Sequence, residues 1–284
     1  MGFKDILVAL DTARPARGRV ELAARLAERF DAHLIGLHTA LPADPPHRRG
    51  YFDYFDASLL GPLYRDLAEK TRTEAETTRH LFEEIASRHG LSAEWRSAAG
   101  LPSATTALHG RYVDLIVLGQ PDPDDTQAVL FRPMPEEVVL AVGRPILVVP
   151  YAGNWEEIGQ RVLVGWDSSR EATRAINDAM PLLAGAEAVT VLAVDPAGGP
   201  AGHGEVPGAD IALHLARHGV EATIEATVSA GIGAGNTLLS RASDLGADLL
   251  VMGAYGHSRV RELLLGGATR TILESMTLPI LMAH

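Results

Sequence analysis

Leu249-Leu250-Val251-Met252-Gly253-Ala254-Tyr255-Gly256 runs from an apolar segment into a turn, and Gly266-Gly267-Ala268-Thr269 follows after a gap of nine residues. A continuous apolar run of this length suits a strand of a parallel sheet that is covered on both faces. Glycines after such a strand and before a helix let the backbone approach a bound phosphate, and the free N–H groups at the helix start then face it. The stretch therefore predicts a strand, a phosphate-facing turn and a helix.

Working outward, the same pattern recurs earlier in the chain. Asp248-Leu249-Leu250-Val251-Met252-Gly253 repeats Asp114-Leu115-Ile116-Val117-Leu118-Gly119, and Leu278-Pro279-Ile280-Leu281-Met282 repeats Arg144-Pro145-Ile146-Leu147-Val148. Arg161-Val162-Leu163-Val164-Gly165-Trp166-Asp167 echoes the opening Ile6-Leu7-Val8-Ala9-Leu10-Asp11. A period of about half the chain means domain duplication rather than a solenoid. Between these strands lie helical patterns: Val20, Ala23, Ala24 and Ala27 in the first half, Ala175, Ile176, Ala179, Leu182 and Leu183 in the second. A long stripe from Leu60 to Ile85 stops near Gly90, while its counterpart, Ile211 to His218, is much shorter, and a further helix is expected over Thr237 to Leu245. Alternating strands and helices at this spacing specify a parallel α/β sheet in each half. The boundary falls near residue 150, giving domains over 1–150 and 151–284.

Composition narrows the function. The 284 residues carry a formal net charge of −11, which argues against nucleic acid as a partner but not against a mononucleotide in a local donor-rich pocket. There is no Cys, so disulfides, thiolate zinc sites and Cys nucleophiles are excluded. No apolar run reaches spanning length and the first residues lead straight into a strand, so the expectation is a cytoplasmic protein without a membrane segment.

With these residues in hand, the chain resembles a tandem universal stress protein, end to end. Nucleotide-binding members of that family show Gly, two residues, Gly, nine residues, Gly, then Ser or Thr, and Gly253, Gly256 and Gly266 match. The resemblance implies two Rossmann-like domains, each a five-stranded parallel sheet of order 3-2-1-4-5. It also implies pairing through the last strands, which here would make a pseudo-dimer within one chain, with a homodimer as a further form. It implies an adenine nucleotide, ATP with Mg, in the C-terminal domain only. Asp167 would bond the ribose or adenine end and Val194 would pack near the base. Met252 and Gly253 would line the site, Gly256 would make the turn, and Gly266, Gly267, Ala268 and Thr269 would wrap the phosphates. Gly267 departs from the family's Ser or Thr and loses one hydroxyl, a change of about 0.5–1.5 kcal/mol. Trp166 is bulky beside Asp167 and is placed to narrow the pocket or stack on the base.

The N-terminal half keeps Gly119 but no second glycine at the right distance, and Asp122, Asp124 and Asp125 stand where phosphate would go. Like charge there opposes a triphosphate, so no ATP is expected in that half, and Asp11 reads as a cap or structural acceptor. Ser168 and Ser169 read as caps rather than nucleophiles. His214 and His218 read as a surface helix pair, and His257 and Arg259 as phosphate contacts or solvent-facing residues. No acid/base pair or nucleophile arrangement is visible, so at most slow ATP hydrolysis is expected. The aromatic cluster Tyr51, Phe52, Tyr54 and Phe55 reads either as a folded-back loop covering an edge of the core or as a partner-contact patch, and the alternative function is a protein-interaction module with vestigial sites that uses this patch or a dimer surface.

Overall fold

The computed structural model describes residues 2–13, 15–42, 57–124, 132–196, 207–256 and 267–284, the side chains of 57–61, 63 and 64 excepted. The first half contains β1 (Asp5–Leu10), α1 (Ala16–Phe30), β2 (His33–Ala40), α2 (Ala57–Arg88), β3 (Ala93–Ala99), α3 (Pro102–Gly110), β4 (Leu115–Gly119), α4 (Pro135–Val142) and β5 (Ile146–Val149). The second contains β6 (Arg161–Gly165), α5 (Arg170–Leu183), β7 (Ala188–Val194), α6 (Ala209–Arg217), β8 (Ala222–Thr227), α7 (Ala234–Asp244), β9 (Leu249–Gly253), α8 (Ala268–Ser275) and β10 (Ile280–Ala283). Helix α7 begins at Ala234, ahead of the expected Thr237. Its first turn is small: a Cβ on Gly235 would lie 2.9 Å from the Ala268 carbonyl, so this turn is reserved for close contact with α8 rather than for an apolar stripe.

The strands form one ten-stranded sheet in the order β3-β2-β1-β4-β5-β10-β9-β6-β7-β8. Pairing is parallel within each half. The halves meet where β5 and β10 pair antiparallel, with Leu147 opposite Leu281 at the centre. Both last strands are thereby used inside the chain, and the open edges left are β3 and β8.

The continuous apolar runs have the expected cause. Leu115 and Val117 join one buried cluster, and Ile116 and Leu118 join the other, so each central strand is covered on both faces. The edge strands β3 and β8 are only half-buried. The repeated aspartates also have a structural role. The Asp114 carboxylate accepts the N–H groups of Lys4 (2.7 Å) and Asp5 (3.2 Å). That of Asp248 accepts those of Gly159 (2.7 Å), Gln160 (2.9 Å) and Arg161 (3.2 Å). Each ties the start of a fourth strand to the start of the first. Across the halves, buried Gln120 donates to the Leu273 carbonyl at 2.8 Å. Among the described residues, no helix is long and apolar enough to cross a membrane.

Candidate functional site

In an open α/β sheet, ligands bind beyond the carboxyl ends of strands, where the strand order reverses. In the second half that place lies at the ends of β9, β6 and β7. The register sets Gly165 opposite Leu192 and Val164 opposite Val251, which brings Asp167, Val194 and Gly253 to one level. Met252 is buried and Val194 half-buried. Trp166 is half-buried and packs against the core cluster that holds Val164 and Val191.

The first turn of α5 builds the floor. Asp167 Oδ1 accepts the Ser169 N–H at 3.0 Å, and Ser169 Oγ accepts the Ala172 N–H at 3.1 Å. Ser169 is therefore the helix cap that the sequence suggests, and Ser168, at φ 62°, makes the bend before it. Gly253 has a packing role: a Cβ there would lie 2.5 Å from the Ala172 nitrogen, so only glycine lets β9 end against this turn. The left-handed residue of the following turn is Tyr255, at φ 58°, while Gly256 has no such φ. A Cβ on Gly256 would sit 3.2 Å from both Glu171 Oε2 and Ser169 Oγ, so Gly256 keeps the turn close to that floor. Thr269 is buried, and its Oγ1 accepts the Tyr255 N–H at 3.2 Å, which braces the turn from the start of α8. Gly267 is the N-cap of α8 and supplies no side-chain cap to the N–H groups of that helix. Ala268 opens the helix, and Gly266, His257 and Arg259 lie outside the described residues.

Glu171 was not anticipated from the sequence. Its side chain is 4% exposed, and its carboxylate lies beneath Gly256, ion-paired with the exposed Arg170 at 2.8 Å. Burial works against its charge. The Arg170 guanidinium, a backbone N–H and the nearby His284 outweigh burial and hold the carboxyl below its usual range. A buried negative charge therefore stands beside the turn that the sequence assigns to phosphate. An acid in a helix's first turn is a common signal; its burial under a glycine turn is visible only in three dimensions.

The first half is built differently at the equivalent place. Arg19 is 3% exposed and donates through Nε to the Ala9 carbonyl (3.1 Å) and through Nη2 to Asp11 Oδ2 (2.6 Å). A Cβ on Gly119 would run into the Arg19 guanidinium, so this retained glycine makes room for an arginine. Arg132, the counterpart of Gly266, lies 3.9 Å from Asp11. Burial raises the Asp11 carboxyl, but Arg19 and Arg132 overcome this and keep it below its ordinary value. Asp11 Oδ1 also accepts the Ala13 N–H at 2.9 Å, the structural-acceptor role expected for it. In the acidic loop Asp122 accepts the Asp124 N–H at 3.0 Å, and Asp125 lies outside the described residues.

Other sequence candidates are peripheral. The His214 and His218 rings lie with centroids 4.6 Å apart, tilted 57° to each other. Among the described residues, no group of three or more His, Asp or Glu could hold a metal ion. The cluster Tyr51, Phe52, Tyr54 and Phe55 lies outside the described residues.

Comparison with known proteins places this architecture. A universal stress protein from Archaeoglobus fulgidus DSM 4304 shares the fold with a TM-score of 0.73, at 16% identity over 98% of this chain and 95% of that one. A universal stress protein from Archaeoglobus fulgidus solved in complex with dAMP matches 52% of this chain and 98% of its own at 16% identity, with a TM-score of 0.35. A curated relative, universal stress protein Slr1230 of Synechocystis, is 47% identical over 38 residues, 13% of either chain. The family model described as "Universal stress protein family" matches twice, over residues 2–150 and 159–284. The chain, with its two halves joined into one sheet, belongs to the universal stress protein family.

Proposed function

We propose that this chain is a stress-response or regulatory protein that binds ATP or a related adenine nucleotide in its C-terminal half alone. One asymmetry carries the reading. Arg19 fills the crevice of the first half, whereas its counterpart on α5 is Ala175, whose side chain ends at a methyl. The guanidinium is thus the part of the first site that excludes a ligand, and the second site lacks it.

Asp167 would meet the ribose or adenine end, with Val194 against the base and Met252 and Gly253 lining the wall. Gly256, Gly266, Gly267 and Ala268 would turn backbone N–H groups toward the phosphates. Thr269 would hold the turn in shape through Tyr255. Magnesium would arrive on the phosphates, where it neutralises charge, since this ion is commonly held by substrate phosphates with only one or two carboxylates. Glu171 opposes added phosphate charge, so affinity would not rise with phosphate number as it does at a basic phosphate site.

Calorimetry with ATP, AMP and adenosine tests this. Binding is expected for the intact chain and lost in Gly256→Val. No heat at millimolar nucleotide would remove the reading. A second reading, an interaction module with vestigial sites, draws on two observations: Glu171 lies under the turn, and Leu108 and Tyr112 are 54% and 78% exposed. A partner retained equally by the intact chain and Gly256→Val would favour it. Because β5 and β10 are already paired with each other, a homodimer would need another surface.

A further inference from the structure

A groove of about 620 Å³ lies between α4 of the first half and α8 of the second, the helices that lead into the paired strands β5 and β10. Its lining includes Pro121, Met134, Leu140, Leu273 and Tyr255. Ligand pockets typically measure about 300–1,000 Å³ and combine apolar walls with a few placed polar groups. The repeat sets Glu136 of α4 opposite in role to Arg270 of α8, and Leu140 opposite to Glu274, so the two walls differ in charge.

The charges do not cancel. Arg270 pairs with Glu274 at 2.8 Å on its own helix. That leaves Glu136 in excess: its carboxyl is pushed up by burial, with Glu137 and Glu274 adding to this and a backbone N–H and Arg270 opposing it. A carboxyl raised by desolvation regains its charge when a cation arrives beside it.

We propose that the groove between α4 and α8 binds a small organic cation, an alkyl or aryl amine whose apolar body lies on Met134, Leu140 and Leu273 and whose ammonium meets Glu136. Tyr255 and Gly267 line this groove and also belong to the glycine turn, so the two sites share a wall. The inference does not depend on nucleotide binding and is tested without nucleotide.

The chain contains six methionines, and Met134 is the one in the groove lining. Methyl-labelled methionine NMR, with Met134 assigned by Met134→Leu, reads occupancy directly. Octylammonium is expected to shift the Met134 resonance saturably, with octanoate and octanol at least about tenfold weaker. A hydrogen bond to a charged group, stronger than one between neutral groups, supports that ratio. Glu136→Gln should weaken octylammonium about tenfold or more, for the same lost bond. Leu140→Trp should abolish the shift by filling the groove. Unchanged Met180, Met252 and Met282 resonances verify that the variants fold. Equal affinity for octanoate or octanol, binding that survives Leu140→Trp, or no Met134 shift with any probe at millimolar concentration would each overturn the proposal.

Discussion

Arg19 Nη2 stands 2.6 Å from Asp11 Oδ2 in the first half, with the arginine side chain 3% exposed and the aspartate 13% exposed. The strand-end aspartate that both halves share is thus matched inside the protein in one half. Removing one partner of a buried pair costs about 3–5 kcal/mol when the other charge is left uncompensated; Arg132, 3.9 Å from Asp11, offsets part of this, so the lower end applies. Arg19→Ala should lower stability by that order in urea denaturation. The double change Arg19→Met with Asp11→Asn should recover part of it, because no unpaired carboxylate remains. A loss no larger for Arg19→Ala than for the double variant would show that the pair is not what holds this region.

The same pair sets a pH dependence. The folded Asp11 carboxyl lies below its ordinary value, so its ionised form stabilises the fold above the unfolded pKa. That contribution is fully present at neutral pH and is lost as pH falls from about 4 through the lower folded pKa. Thermal melts between neutral pH and pH 3 should therefore show the intact chain losing its advantage over Asp11→Asn only below about pH 4. A difference that shrinks already near pH 6 would assign the effect to another group.

Two glycines of the turn should separate fold from binding. Gly253→Ala places a Cβ against the backbone of Ala172, and overpacking of this kind costs about 1–3 kcal/mol. For Gly256→Ala the nearest atoms to the new Cβ belong to the Glu171 and Ser169 side chains, from 3.2 Å, which must give by only a few tenths of an ångström. Melting should report a clear loss for Gly253→Ala and a small one for Gly256→Ala, while nucleotide titration should be impaired in both. Equal stability of the two variants would count against the packing role of Gly253.

Glu171 offers a test of ligand charge. Replacing it with Gln keeps the shape and removes a like charge from beneath the turn. ATP affinity should rise about tenfold, equivalent to about 1.4 kcal/mol, with a smaller gain for AMP and none for adenosine. Competition titration of the three ligands checks this. Parallel gains for all three would mean that Glu171 acts through the fold rather than through charge.

The strand runs, the repeat and the covered sheet were legible because they depend on local pattern. Leu115 to Leu118 must be apolar at every position when both faces are covered, and that leaves a visible run. The shared aspartates and Gly253 were legible for a related reason: they stand at or just beyond strand ends, where the apolar run stops. What each residue touches was not legible. Gly119 and Gly253 look alike in sequence, yet one clears space for the Arg19 guanidinium and the other for the backbone of α5. Glu171 looks like an ordinary first-turn acid until the turn after β9 closes over it.

The sequence by itself determined the duplicated α/β architecture and the family, because periodicity and strand-end chemistry are written in neighbouring residues. The pairing of the halves through their last strands, expected from the family resemblance, takes the form of one sheet joined at β5 and β10, while the tertiary structure decided that Arg19 lies against Asp11 in one half where Ala175 stands at the matching position of the other. It also set a charged groove between α4 and α8. These are long-range juxtapositions, fixed by packing and by buried charges finding partners, and no local pattern in the chain encodes them.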